Sequence, residues 1–194
     1  MGDGKLKRLT AQQLMIMAQR KPVFEHAQAL TGVPWQAIAA VWYRESFSVT
    51  PPKTPGGPFQ FDPVPPRARL NELLKSFTKL DENERAALIG KGVNDFQAGA
   101  VFCACWLRHQ SKANLSVDHS DAAIKDAFYG YNGRAWGPNP DNSPYVANES
   151  DLKHDDMIIR GTIPDGHGGR KRIETIDGRP GAFAVYRQLI DSKI

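Results

Sequence analysis

The chain lacks several things that would have placed it quickly. It has no apolar run near the ~20 residues that span a bilayer, no internal repeat, and two cysteines in 194 residues. The first lack excludes stable membrane insertion. Cys103 and Cys105 stand two apart on an expected helix, so they point about 200° away from each other and do not bridge. They read as small core residues and not as a metal or redox pair. No apolar core follows the lysines of MGDGKLKRLT, so no signal peptide is recognised and the usual secretory route is not expected. With 41% hydrophobic and 24% charged residues, the chain is globular and not disordered.

A formal charge of +4 and a pI near 9.1 suit an acidic partner. The basic residues are dispersed, with local density at Lys5-Lys7-Arg8 and Arg170-Lys171-Arg172. That distribution describes a basic surface and not a dedicated nucleic-acid site, so no nucleic-acid partner is expected.

The pattern is helical for most of the length. Thr10 with Gln13 forms a capping box opening a helix through about Gln19, and Pro22 opens a second with Val23, Phe24, Ala27 and Leu30 inward. Gly32 closes it, and Pro34 starts a third helix. Residues 50–66, TPPKTPGGPFQFDPVPP, hold seven prolines, which excludes helix and allows sheet only at an edge. From about Arg67 the helical period returns, with Leu70, Leu73, Leu74 and Phe77 on one face. Asp81 with Glu84 opens a short helix ending at Gly90. Asn94 is expected to cap a long buried helix in which Gly99, Ala100 and Cys103 let a neighbouring backbone approach. Ser120 caps the next, with Ile124, Phe128 and Tyr131 on a face. After residue 150 the period changes: MIIRGTI and RKRIETI flank PDGHGGR, the pattern of a β-hairpin, and a last helix runs from Ala182 to Ile190. His154 and His167 fall in this region as surface or turn residues, and no metal is expected.

One residue does not fit a plain helical core. Trp35, Ile38, Trp42 and Glu45 fall at i, i+3, i+7 and i+10 along one helix face. A carboxylate ending such a stripe faces the core or a cleft in it. Burial beside Trp42 disfavours its charged form and should raise its pKa. Two other stretches have the chemistry of a groove. GGPFQF sets Phe59, Gln60 and Phe61 among rigid prolines. YGYNGRAWGPNPDNSPYVAN supplies aromatic faces for sugar rings and amides for hydroxyl and acetamido groups.

In order along the chain these residues resemble the catalytic domain of the lysozyme-like lytic transglycosylases, the soluble lytic transglycosylase group that also holds goose-type lysozyme. The likeness covers roughly residues 22–148. Arg44-Glu45-Ser46 matches that family's glutamate-serine at a helix end, and Gly57-Pro58-Phe59-Gln60 its Gly-Leu-Met-Gln motif. NDFQAGAVF is similar to the segment before its central helix, Tyr131-Asn132-Gly133 to its Tyr-Asn-x-Gly region, and Tyr145-Val146 to its later Tyr-Val. Pro58 and Phe59 depart from Leu and Met, and YNG lacks the residue between Asn and Gly.

The resemblance implies a mainly α, lysozyme-like domain over residues 1–150, with a small C-terminal β-hairpin and terminal helix, 151–194, packed on it. It implies a monomeric enzyme, without cofactor, that cleaves the MurNAc–GlcNAc bond of bacterial peptidoglycan glycan strands. Glu45 would be general acid and then base, closing a 1,6-anhydro ring. Tyr131 would orient Glu45 with Ser46 in support, and Phe59, Gln60, Asn132 and Tyr145 would line the sugar subsites. Asp62 sits where goose-type lysozymes carry an aspartate that helps hold the attacking water, so hydrolysis is the alternative. A non-enzymatic wall-binding protein on the same fold is a further one. Without a signal peptide, delivery as a phage virion enzyme, an endolysin or an injected effector is expected.

Overall fold

Seven α-helices account for most of the residues described by a computed structural model of the chain, which are 8–47, 56–61, 63–131, 143, 145–146, 158–164, 169–176, 180–192 and 194. In the two strands only the backbone is described. The molecule is mainly α, and among the described residues no helix is long and apolar enough to cross a membrane.

Helix α1 (Ala11–Thr31) opens on the capping box of Thr10 and Gln13 and closes on Gly32 at φ 78°. It is one helix where the sequence predicts two, because Pro22 lies inside it. An interior proline costs about 3 kcal/mol. Met17 and Phe24, one on each side of the proline, are both fully buried, and α1 packs along α5. Burying two large side chains on one continuous face returns more than the local penalty.

Helix α2 (Trp35–Glu45) is buried almost all round, from Trp35 to Arg44. A single turn of 3-10 helix follows at Gly57–Phe59, in a stretch where the sequence excludes helix. Pro58 sits in its first positions, where a proline's missing N–H goes unneeded. Gly57 is held there by close approach: a Cβ would meet the Val93 carbonyl at 2.2 Å, and its φ is +65°.

Helices α3 (Arg67–Phe77) and α4 (Glu82–Lys91) follow, the second with the predicted capping box of Asp81 and Glu84. Central helix α5 (Phe96–Gln110) is capped by Asp95, whose side chain accepts from Ala98 N at 2.8 Å. The sequence points to Asn94, one residue early. Gly99 does admit a neighbour: a Cβ there would lie 3.0 Å from the Val93 carbonyl and 3.1 Å from the Phe59 ring. Cys103 and Cys105 are free and buried within α5.

Helix α6 (Asp121–Tyr131) starts beside Ser120, whose Oγ accepts from Ala123 N. Strands β1 (Ile158–Pro164) and β2 (Arg170–Ile176) form an antiparallel pair with Gly161 opposite Ile173. Helix α7 (Ala182–Asp191) packs against α2 and buries Phe183, Val185, Tyr186 and Leu189.

Candidate active site

Trp35, Ile38 and Trp42 are buried along α2 as the spacing predicts, and Glu45 at its last turn is half-buried. The stripe therefore carries a carboxylate from the core to its edge. Phe24, Phe47 and Phe96 pack on Trp42 at centroid distances of 5.3 to 5.7 Å. The Tyr43 hydroxyl, on the other side, accepts from Gln13 Nε2 and ties α2 to α1.

The Tyr145 hydroxyl donates to Glu45 Oε1. Tyr145 is 4% exposed. Its ring stacks on Tyr131, with centroids 6.1 Å apart and planes at 24°, and the Arg44 guanidinium lies 5.9 Å from its centre. The Tyr131 hydroxyl donates instead to the Phe59 carbonyl at 2.7 Å, with the Cys103 thiol against it. The hydroxyl that meets Glu45 is thus that of Tyr145 and not that of Tyr131. Tyr145 holds the carboxylate, while Tyr131 fixes the 3-10 turn and supports Tyr145 from the side.

Burial sets the protonation of this cluster. Removal from water pushes the Tyr145 and Tyr131 hydroxyls well above 10.0, and the Glu45 charge pushes both further the same way. The Cys103 thiol rises for the same two reasons. All three groups keep their protons, so Tyr145 is a hydrogen-bond donor throughout the physiological range.

Other expected site residues divide. Gln60 sits in the left-handed region at φ 52°, ψ 49°, and lines a cavity of about 430 Å³ together with Phe61, Pro63, Pro65, Pro66 and Tyr131. The later part of the proline-rich stretch is therefore a groove wall. Phe59 is not a subsite residue by its side chain: it is fully buried, its ring fills the space Gly99 leaves, and it offers the site its carbonyl. Ser46 Oγ is buried without a hydrogen-bond partner among the described residues, as is Trp42 Nε1. Asp62, Asn132, His154 and His167 lie outside the described residues. Among the described residues no cluster of His, Cys, Asp or Glu could hold a metal ion.

Sequence reasoning missed the far wall of the groove, which is Arg69 from α3 with Trp106 and Gln110 from α5. The spacing of Trp106 and Gln110, one turn apart, was the available signal. It also missed Arg44, which is 3% exposed and next to the carboxylate. Glu45 does not line this cavity itself; Tyr131 and then Tyr145 connect the two. Comparison with family models, with curated proteins and with solved structures returned no match.

Proposed function

We propose that this chain cleaves the glycan backbone of bacterial peptidoglycan at the MurNAc–GlcNAc β-1,4 bond, as a lytic transglycosylase on a lysozyme-like helical fold with a small C-terminal β-hairpin. The observation that carries this reading is the hydrogen bond from Tyr145 to Glu45, at the end of a buried aromatic helix and beside a groove. A tyrosine donor on one carboxyl oxygen holds the group in a fixed orientation.

The chemistry requires a proton on the glycosidic oxygen as the C1–O bond breaks. Glu45 gives that proton and becomes a carboxylate. The positive charge developing on the sugar ring then sits beside an anion. Glu45 next takes the proton of the same sugar's 6-hydroxyl, whose oxygen bonds to C1 and closes the 1,6-anhydro ring. The carboxyl is restored, no water is consumed, and no metal or cofactor takes part. In the family resembled, one glutamate serves both steps.

A second reading, hydrolysis of the goose-type lysozyme kind, draws on the position of Asp62. Its neighbours Phe61 and Pro63 both line the groove. A second carboxylate about 6.5–9.5 Å from the acid leaves room for an attacking water. Mass spectrometry of the sugars released from purified murein decides between them: 1,6-anhydroMurNAc ends mark the transglycosylase, reducing ends the hydrolase. If zymography gives no clearing between pH 4 and 9, the chain is a wall-binding protein and neither enzyme.

A further inference from the structure

The groove beyond Tyr131 has a chemistry of its own. On one side are Phe61 and the prolines at 63, 65 and 66, a wall whose backbone is held by the pyrrolidine rings. Trp106 and Gln110, one turn apart on α5, and Arg69 of α3 line the same groove. The volume of about 430 Å³ falls in the ~300–1,000 Å³ range of small-molecule sites.

Arg69 is the charged side chain among the residues that line the groove. Its Nη2 lies 2.6 Å from His109 Nε2, and its Nη1 lies 3.1 Å from Glu72 Oε2. A guanidinium has donors alone, so His109 Nε2 must accept, and the imidazole is neutral. Partial burial and the Arg69 charge both lower the His109 pKa, in agreement. The histidine therefore orients Arg69 without adding charge to it. Glu72 offsets little, because its side chain is 65% exposed and an exposed ion pair is weak and screened. Two bonds leave further N–H donors on the fork for a ligand.

We propose that this groove is a subsite for an acidic sugar. Trp106 stacks on the pyranose ring, Gln110 bonds an acetamido group, and Arg69 receives the carboxylate. The assignment of the polymer rests on the peptidoglycan reading above. In that polymer the carboxylate carried on the ring itself is the 3-O-lactyl group of MurNAc, free wherever no peptide stem is attached. The subsite thus favours peptide-free glycan, and Arg69 determines that specificity.

The test is binding to the full chain carrying Glu45→Gln, so that ligands stay intact. The probes are a peptide-free GlcNAc–MurNAc tetrasaccharide, its lactyl methyl ester, chitotetraose, and the same tetrasaccharide bearing peptide stems. The free acid should bind about tenfold or more tighter than the ester, as a charge-assisted hydrogen bond implies. Arg69→Gln should abolish that preference and leave the ester and chitotetraose unchanged. Arg69→Lys should keep part of it, and Trp106→Ala should weaken all four probes. Equal binding of acid and ester overturns the proposal, as does a preference that survives Arg69→Gln, or tighter binding of the stem-bearing sugar. Clearing of murein by the unsubstituted chain is read separately. Clearing without acid preference sinks the subsite alone, and acid preference without clearing sinks the cleavage reading alone.

Discussion

The end of α2 and the two ends of α5 solve the same problem in opposite ways. Helix α5 is capped by Asp95 at its start, and its last turn carries Arg108. The Arg108 guanidinium donates to the carbonyls of Thr31 and Phe77, tying three elements together. A cation at the negative end of a helix and an acid at the positive end are both favourable. Helix α2 has Arg44 in its last turn but ends on Glu45, an acidic residue at the negative end. Ser46 follows with a buried hydroxyl lacking a partner among the described residues, and Phe47 sits at φ 22°, where a bulky residue is strained. Local rules are obeyed where the helix only holds the fold. They are broken in three consecutive residues around the carboxylate, the pattern of a site kept at some expense of stability.

Replacing Glu45 by Gln should give the largest contrast. Shape is retained and the proton donor is lost, so release of sugars from murein should fall by ~10²–10⁴-fold. The melting temperature should hold or rise, since the cost of a half-buried carboxyl group is removed. Near-normal turnover would end the assignment of Glu45 as the acid.

Tyr145→Phe separates the two tyrosines. A donated hydrogen bond favours the ionised carboxylate, so its loss should make Glu45 a weaker acid. The alkaline limb of kcat/KM should then move to higher pH, while turnover falls by about tenfold through lost orientation. Tyr131→Phe removes a bond to the Phe59 carbonyl. It should cost about 1 kcal/mol of stability and leave the limb in place. If Tyr131→Phe moves the limb and Tyr145→Phe does not, Tyr131 and not Tyr145 tunes Glu45.

How far the site could be read beforehand follows from the same residues. The Trp35–Ile38–Trp42–Glu45 stripe was legible because helical periodicity is a local signal. So were the capping boxes at Thr10 and Asp81 and the small residues of α5. Which tyrosine would reach Glu45 was not legible: Tyr145 lies 100 residues away along the chain, and hydroxyl direction is set by packing. The burial of Phe59 depends on the space beside Gly99, a pairing that no local pattern shows. The continuity of α1 through Pro22 failed for the complementary reason, because a tertiary contact with α5 outweighed a correct local rule.

The core of α5 should respond to alkaline pH. Burial pushes the Cys105 thiol from 9.0 to about 12. Below the lower value both folded and unfolded chains keep the proton, and stability is independent of this group. Between about 9 and 12 the unfolded chain loses a proton that the fold retains, so stability falls as pH rises through that window. Urea melts at pH 8 and pH 10 should show the decline, and Cys105→Ala should flatten part of it while costing some packing at both pH values. A decline equally steep in Cys105→Ala would place the alkaline sensitivity elsewhere, with the buried tyrosines the next candidates.

Ser46→Ala should have the smallest effect and is the most specific. Its hydroxyl is buried without a partner among the described residues, a state that costs about 1–3 kcal/mol when nothing compensates. Removing the oxygen while keeping the Cβ should leave stability unchanged or raise it, by up to about 1 kcal/mol. Were Ser46 a support of the fold, the same change would lower stability. The kinetic arm then says what the oxygen is for. If it meets the substrate, Ser46→Ala raises KM and leaves kcat near its normal value, because the lost contact is equal in ground and transition states. If it acts on Glu45, kcat falls with KM unchanged. An unpartnered hydroxyl one residue after the acid is the kind of local cost a binding site retains, so we expect the first result. A gain in stability with both kinetic constants unmoved would show Ser46 to be a spectator and would leave Glu45 and Tyr145 as the working pair.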